Sequence, residues 1–242
     1  MEKGKALLIA FLITAIIAGN YLFFADAGVS RESVEIVRVL DGDTVELEDG
    51  RNIRLLNLNT PEKKLAYSEL AKNYLIQFKD KTVELEDLGL DRYGRTLGRI
   101  YSGDEYINLE IVEKGFAHSY LVFDGEEGDF SKAEENAREN RIGIWKLSPY
   151  YECITAKINK YDENVEIYDS CDVDFNGWTL KDESTKMYRF SQDMSDEFVL
   201  YSGKGKDTGE ELYWGKGKVW NDDGDRIFIR DSDGMLVFYD SY

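Results

Sequence analysis

The stretch from residue 54 to residue 62 carries side chains whose types and spacing suit chemistry on an anionic group. Arg54 begins an alternating, strand-like segment, and Glu62 follows a Thr60-Pro61 turn at the end of that segment. A guanidinium group binds anionic oxygens through paired hydrogen bonds, and a carboxylate can accept a proton. An arginine and a glutamate at one strand end therefore indicate chemistry on an anion.

Two further polar stretches accompany this one, with Asp41-Gly42-Asp43-Thr44 upstream and Asp-Arg-Tyr-Gly-Arg at residues 91–95 downstream. Taken singly, Asp-Gly is a hairpin-turn signal, residues 91–95 are a polar loop, and Arg54 could pair with a glutamate of a neighbouring strand. Taken together and in this order, the three stretches resemble the staphylococcal nuclease (thermonuclease-like) family over residues 34–146.

The resemblance implies a phosphodiesterase site in which two arginines hold the phosphate, a glutamate activates water and calcium is bound by oxygen ligands. The implied site residues are Arg54, Glu62 and Arg95 as catalytic residues, Asp43, Asn59 and Thr60 as metal ligands, and Arg92, Tyr93 and Tyr120 as substrate contacts. Hard oxygen ligands suit Ca²⁺. For Tyr120 the alternative stays open that residues 120–123 are an apolar stretch packed on the barrel.

Asn59 departs from the family pattern, which has an aspartate at this position. A carboxamide oxygen is neutral, so we expect weaker calcium binding, or compensation by Asp41 or by water. The alternative is a catalytically degenerate barrel that serves as a binding module.

The sequence contains one histidine, His118, which excludes a HEXXH zinc site by inventory because that site needs two. We interpret His118 as neither ligand nor base. A glutamate base, a metal ion and arginines remain as the means of catalysis.

The 242 residues carry a formal net charge of −18. Such a surface repels nucleic acid at long range and argues against a non-specific binder of the basic-patch type. Screening over about 8 Å at physiological salt still lets local arginines act on a phosphate. The acidity is equally compatible with solubility or a salty habitat.

The first 27 residues have the pattern of a targeting segment. Lys3 and Lys5 precede an apolar run over residues 6–24, and Ala25-Asp26-Ala27 follows. This pattern predicts either a cleaved signal peptide or a retained N-terminal membrane anchor. Both alternatives place the rest of the chain outside the cell, secreted or anchored to the outer face of the membrane.

Residues 31–148 are expected to form an α+β domain. Alternating segments predict five strands, at residues 34–40, 44–48, 51–58, 82–85 and 95–101, and helical spacing predicts helices over residues 67–78, 107–114 and 131–141, with a flexible acidic stretch before the last one. This combination is typical of an OB-fold-type five-stranded barrel with helices.

Residues 153–242 are expected to form an all-β domain with about seven short strands, an immunoglobulin-like sandwich. The stretches at residues 176–180, 198–203 and 219–225 resemble the lamin-tail domain, which implies a fold and says little about function. Its partner is unknown. Cys153 and Cys171 either pair in an oxidising compartment or remain two buried thiols.

The sequence thus predicts an exported or membrane-tethered, calcium-dependent nuclease that cleaves DNA and RNA with little sequence preference. We expect a monomer. The alternative is a nuclease-like binding module joined to a cell-surface interaction domain.

Overall fold

The computed structural model describes residues 30–123, 125–191 and 194–242. The predicted targeting segment, residues 1–27 with its apolar run at 6–24, lies outside the described residues. Within the described ranges, no helix has the length and apolar character needed to cross a membrane.

The barrel region, which we define as residues 31–148, contains short strands and three helices. In chain order its elements are β1 (Arg31–Val39), β2 (Thr44–Leu47), β3 (Asn52–Leu55), β4 (Leu58–Asn59), α1 (Ser68–Ile76), β5 (Lys81–Leu90), β6 (Thr96–Ser102), β7 (Glu105–Tyr106), α2 (Ile107–Glu113), β8 (His118–Ser119), α3 (Glu127–Glu139) and a 3₁₀ turn (Gly143–Trp145).

Five of these strands close into a barrel, as the sequence predicts. The order is β3-β2-β1-β5-β6, and parallel pairing of β3 with β6 closes the ring. Ile36, Val45, Ile53, Leu85 and Ile100 have no more than traces of exposed surface and fill the interior. Their alternation with more exposed neighbours is the period-two pattern of strands buried on one face. The OB-fold-type barrel is therefore confirmed.

The predicted third strand, residues 51–58, is in fact two strands. Asn57 has φ 67°, a left-handed conformation that breaks the ladder after Leu55. The chain then forms β4, which pairs with β8 so that Asn59 lies opposite His118. This break places residues 59–62 at the end of the barrel instead of along its side.

The last helix begins earlier than predicted. A flexible acidic stretch was expected over residues 124–129 and a helix from Ser131, but α3 begins at Glu127. Glu127 and Asp129 lie in its first turn, where carboxylates interact favourably with the positive end of the helix dipole.

The C-terminal region, defined as residues 153–242, is a sandwich of two four-stranded sheets. Its strands are β9 (Ile154–Asn159), β10 (Asn164–Asp169), β11 (Thr179–Lys181), β12 (Met187–Arg189), β13 (Glu197–Tyr201), β14 (Glu211–Tyr213), β15 (Arg226–Arg230) and β16 (Leu236–Ser241). One sheet has the order β14-β13-β10-β9 and the other β12-β11-β15-β16. Trp178 and Trp220 are buried in the core between them. The short strand β14 was not predicted.

Cys153 and Cys171 form a disulfide with a Cα–Cα distance of 5.4 Å. It ties the start of β9 to the segment that follows β10. Of the two alternatives that the sequence left open, the structure therefore contains the pair.

The two regions share a third apolar cluster. Trp145 of the barrel region packs against Phe228 and Tyr239, with ring centroids 5.9 and 5.2 Å away. Arg226 reaches across to Glu134, with 3.0 Å between Nη1 and Oε2. The division into domains at residues 31–148 and 153–242 stays a prediction, but the contact between the regions is extensive.

Candidate active site

Every residue that the sequence assigns to the site lines one cleft of about 1030 Å³ at the end of the barrel. These residues are Asp43, Arg54, Asn59, Thr60, Glu62, Arg92, Tyr93, Arg95 and Tyr120. These residues come from four separate parts of the chain, and the fold places them around one cleft.

Asp43 lies at the centre of the hydrogen bonds in this cleft. Its Oδ2 accepts a hydrogen bond from Thr60 Oγ1 at 3.1 Å and lies 3.3 Å from Arg54 Nη2. Its Oδ1 accepts from Thr44 Oγ1 at 3.0 Å. The turn before β2, the residue after β4 and the cleft-facing side of β3, opposite its buried Ile53 and Leu55, therefore converge on one nearly buried carboxylate.

Gly42 allows this convergence. A Cβ at this position would lie 2.9 Å from Thr60 Oγ1 and 3.0 Å from Ala71 Cβ, closer than packed atoms tolerate. The Asp-Gly-Asp stretch is therefore more than a turn, because its glycine lets the β1–β2 loop pack directly against Thr60 and α1.

Three carboxylates crowd this end of the barrel. Partial burial and the charge of Asp43 raise the pKa of Asp41. Desolvation raises the pKa of Glu62, and Asp43 and Asp41 add to this shift while Lys181 and Arg54 oppose it. Like charges held this close favour a cation or a proton between them.

The oxygens at this point suit a hard cation, although the ligand set is small. Among the residues that the structure describes, no group of three His, Cys, Asp or Glu side chains is arranged to hold a metal ion. What is present is the Asp41–Asp43 pair, whose mutual repulsion a cation would relieve, next to Thr60. Two carboxylates and one threonine supply fewer oxygens than the six to eight that a calcium ion takes, so other oxygens would have to complete the set.

Arg54 is fixed by the backbone around it. Its Nη2 donates to the carbonyl oxygen of Leu58 at 2.9 Å, and its Nη1 donates to that of Leu55. These bonds to the turn between β3 and β4 hold the guanidinium at the cleft wall beside Asp43. Arg54 is thus a positioned cation and not a mobile surface side chain.

The loop between β5 and β6 presents Arg95 to the cleft. Asp91 organises this loop, since its Oδ1 accepts from the backbone N–H groups of Tyr93 and Arg95 at 2.8 and 2.9 Å, and its Oδ2 accepts from Arg95 Nε at 2.8 Å. Within the described chain, the two terminal nitrogens of Arg95 make no bond to protein. They can therefore donate to a phosphate.

Aromatic side chains line the outer part of the cleft. The Tyr93 ring is 69% exposed, and the Arg92 guanidinium lies 4.8 Å from its centroid. Tyr120 is half-buried, whereas Leu121 and Phe123 are 64% and 40% exposed. The stretch at residues 120–123 therefore packs only in part on the barrel, and its roles toward a substrate stay predictions.

Asn59 is engaged by the C-terminal region. Its Nδ2 donates to the carbonyl oxygens of Glu183 and Ser184 at 3.1 and 3.0 Å. Its Oδ1 is 3.4 Å from Arg54 Nη2. The amide nitrogen is thus bound to the β11–β12 loop while the amide oxygen makes one long contact, and the role of Asn59 as a calcium ligand stays a prediction.

Three residues of the C-terminal region that were not predicted as site residues also line the cleft. Ser184, Thr185 and Lys186, in the loop between β11 and β12, line it opposite the barrel. Lys186 is held there by Asp182 and by the carbonyl oxygen of Val219, at 3.3 and 3.0 Å. No motif marks these residues, because they reach the cleft only through the packing of one region on the other.

Comparison with known proteins gives consistent results. Residues 52–147 match the family model described as "Staphylococcal nuclease homologue". The chain is 34% identical to an uncharacterized endonuclease of Haemophilus influenzae, over 51% of this chain and 73% of that protein. It is 33% identical to a micrococcal nuclease of Shigella flexneri, over 46% and 72% of the two chains. An uncharacterized endonuclease of Escherichia coli O157:H7 is 36% identical over 46% and 74%.

Proposed function

Because the chain belongs to the staphylococcal nuclease homologue family and is a thermonuclease-like endonuclease, we propose that it hydrolyses phosphodiester bonds of both DNA and RNA with calcium. The observation that carries this proposal is the presence of Arg54, Glu62 and Arg95 in one cleft beside Asp43.

In the proposed reaction, Arg54 and Arg95 bind the oxygens of the scissile phosphate. Their planar guanidinium groups match the geometry of phosphate oxygens and stabilise the negative charge that grows on those oxygens. Glu62 accepts a proton from the attacking water, whose oxygen forms a bond to phosphorus. The ester P–O bond then breaks, and the leaving oxygen takes a proton from solvent.

Asp41 and Asp43, with Thr60, are the residues proposed to hold calcium. When bound, the ion supplies positive charge that neutralises and orients a phosphate oxygen. Asp41 takes the place that the sequence analysis gave to Asn59, because the Asn59 carboxamide is bonded to Arg54 and to the β11–β12 loop. Asn59 lacks the negative charge of the aspartate in the family pattern, and in this proposal the carboxylate of Asp41 supplies that charge to the calcium site.

Location outside the cell is a further part of the proposal. The pattern of residues 1–27 supports export, and the Cys153–Cys171 disulfide supports an oxidising compartment. Millimolar calcium is available there, which suits a weak site. We also propose that the C-terminal region is lamin-tail-like, on the basis of its sandwich with Trp178 and Trp220 in the core, and that the protein is a monomer.

The test of this function is cleavage of labelled single-stranded DNA and RNA by the full chain, in millimolar calcium and in chelator. Products in calcium alone support the proposal. Saturable nucleic-acid binding that weakens steeply with salt, without products under either condition, would support the alternative of a binding module. The observation that favours this alternative is that Asn59 replaces a charged aspartate and donates its amide hydrogen bonds to the β11–β12 loop.

A further inference from the structure

A second cavity, which we call the junction pocket, lies between the two regions. It has a volume of about 190 Å³, and Thr60, Pro61 and His118 line it from the barrel side. Lys181, Phe228 and Arg230 line it from the C-terminal side. Thr60 and Pro61 also line the active-site cleft, so the two cavities adjoin across one turn of the chain.

Two buried cations, Lys181 and Arg230, line the junction pocket, and the carboxylates of Asp182 and Glu62 act on Lys181 without a direct ion pair. Lys181 Nζ donates to the carbonyl oxygens of Asp182 and Ser184, and Arg230 Nη1 donates to those of Ile144 and Gly234. Within the described residues, neither side chain forms an ion pair. Burial lowers the pKa of Lys181 to about 8 and that of Arg230 to about 10, because the charged forms are poorly solvated.

Asp231, the acidic residue of the lining, directs its hydrogen bonds away from these cations, although its charge favours the charged form of Arg230. Asp231 uses Oδ2 to accept from Ser148 Oγ at 2.6 Å and Oδ1 to accept from the Met235 N–H at 2.8 Å. Lys64 and Arg189 add two more positive charges to the lining. In a chain with a net charge of −18, a pocket of this sign is an exception that points to an anionic ligand.

His118 supplies an independent sign of a ligand. The residue is 5% exposed, and its Nδ1 donates to the carbonyl oxygen of Ser119 at 2.9 Å. A carbonyl only accepts, so the neutral ring has its acceptor at Nε2, and this buried atom has no hydrogen-bond partner among the described residues. Buried polar atoms are normally satisfied, by protein, water or ligand.

The three groups are arranged around one aromatic ring. The Phe228 centroid lies 5.0 Å from the His118 ring, 6.0 Å from Lys181 Nζ and 5.9 Å from Arg230 Cζ. Free donors of Lys181 and Arg230 and the free acceptor of His118 therefore belong to one small site. A single ligand that pairs with both cations and with Nε2 would carry anionic oxygens and one proton that it can share.

We propose that the junction pocket binds a terminal phosphate group, with Lys181 and Arg230 donating to its oxygens and one proton shared between a phosphate oxygen and His118 Nε2. Phosphate chemistry satisfies both requirements, since it offers several acceptor oxygens and titrates near neutral pH. The choice of phosphate over other anions rests on the proposed function, because cleavage of nucleic acid in the adjoining cleft produces phosphate ends. The group could come from free phosphate or from a nucleotide end.

The test is calorimetric titration of the full chain with inorganic phosphate, at pH 7, constant ionic strength and with chelator present. We expect one saturable site, with affinity reduced about tenfold or more in Lys181→Met and in Arg230→Met, since each removes a charged hydrogen bond. Lys206→Met is the matched control, because it removes an equal charge at an exposed position. Arg95→Met tests whether phosphate binds in the active-site cleft instead.

Unaltered affinity in Lys206→Met and Arg95→Met, with the loss in Lys181→Met, supports the proposal even if Arg230→Met fails to fold. The proposal is overturned by the absence of saturable binding, by equal weakening in Lys206→Met, or by loss in Arg95→Met with retention in Lys181→Met. These outcomes are separate from calcium-dependent cleavage, so the pocket and the nuclease activity can fail independently.

Two further ligands identify the source of the phosphate. A 5′-phosphorylated dinucleotide and its unphosphorylated form are titrated under the same conditions. Tighter Lys181-dependent binding of the phosphorylated dinucleotide than of inorganic phosphate assigns the pocket to nucleic-acid ends. Binding of inorganic phosphate that is equal or tighter assigns it to free phosphate. Lys181-dependent binding of the unphosphorylated dinucleotide at equal affinity would contradict the proposal.

Discussion

The side-chain amide of Asn59 donates a hydrogen bond to the backbone carbonyl oxygen of Ser184 at 3.0 Å, and so joins the nuclease cleft to a loop of the C-terminal region. A second bond from the same nitrogen reaches the carbonyl oxygen of Glu183 at 3.1 Å. An aspartate has no donor for these oxygens and would repel them. Asn59, which departs from the family pattern, is therefore the residue that binds the β11–β12 loop to the cleft.

Replacement of Asn59 by aspartate is expected to lower the free energy of unfolding by about 1 to 3 kcal/mol, because two carbonyl oxygens lose their donor and face a negative charge. Denaturant unfolding measures this change. Asn176→Asp, at an exposed position, is the matched control and should have little effect. Equal stability of Asn59→Asp and the native chain would show that the two hydrogen bonds do not hold the loop.

Arg95→Lys should reduce kcat/KM for cleavage about 10- to 100-fold. The Nε of Arg95 is held by Asp91 while its terminal nitrogens face the cleft, and a lysine cannot make both sets of contacts. Steady-state cleavage of a short oligonucleotide in calcium gives the ratio. Arg38→Lys, an exposed arginine paired with Glu46 outside the cleft, should retain native kinetics. Native kcat/KM in Arg95→Lys would show that Arg95 does not bind the scissile phosphate.

Arg226→Met should lower the free energy of unfolding by about 3 kcal/mol, because it leaves the nearly buried Glu134 without its cation. Arg226 also donates to the carbonyl oxygen of Ser119 at 2.8 Å, so the variant weakens the contact between the regions. Arg51→Met, which removes an exposed ion-pair network, should cost less than about 1 kcal/mol.

A double variant sharpens this prediction. Adding Glu134→Met to Arg226→Met removes the unpaired charge and should restore part of the lost stability. If the single and double variants were equally stable, the stability lost in Arg226→Met would not come from the unpaired Glu134 carboxylate.

Reduction of the Cys153–Cys171 disulfide should lower the free energy of unfolding by about 3 kcal/mol, because the bond closes a short loop and restricts the unfolded chain. Denaturant unfolding with and without reductant measures the difference. The Cys153→Ala/Cys171→Ala double variant should match the reduced protein and be insensitive to reductant. An unchanged unfolding midpoint on reduction would contradict a stabilising role.

The barrel could be predicted from the sequence because its strands are buried on one face and alternate clearly, as Ile36 and Ile53 illustrate. The break at Asn57 could not, because a left-handed residue inside an apolar run has no periodic signal. Strand β14 was missed because Glu211–Tyr213 is a short segment that pairs in parallel with a strand already assigned.

The site shows the same limit. Asp43, Arg54 and Glu62 lie in the stretches that carry the resemblance to the nuclease family, so their convergence could be expected from that resemblance. The position of Lys186 and the β11–β12 loop in the cleft could not be predicted, because it depends on how the two regions pack. The occupied state of Asn59 follows from the same long-range contact.

The most direct test of the central claim is cleavage of single-stranded DNA by Glu62→Gln in millimolar calcium under single-turnover conditions, beside the native chain and the exposed control Glu69→Gln. Loss of the proton acceptor should slow the chemical step by about 10²- to 10⁴-fold, with nucleic-acid binding retained. Glu69→Gln should cleave at the native rate. Native-like cleavage by Glu62→Gln would contradict the assignment of Glu62 as the base and, with it, the proposed mechanism.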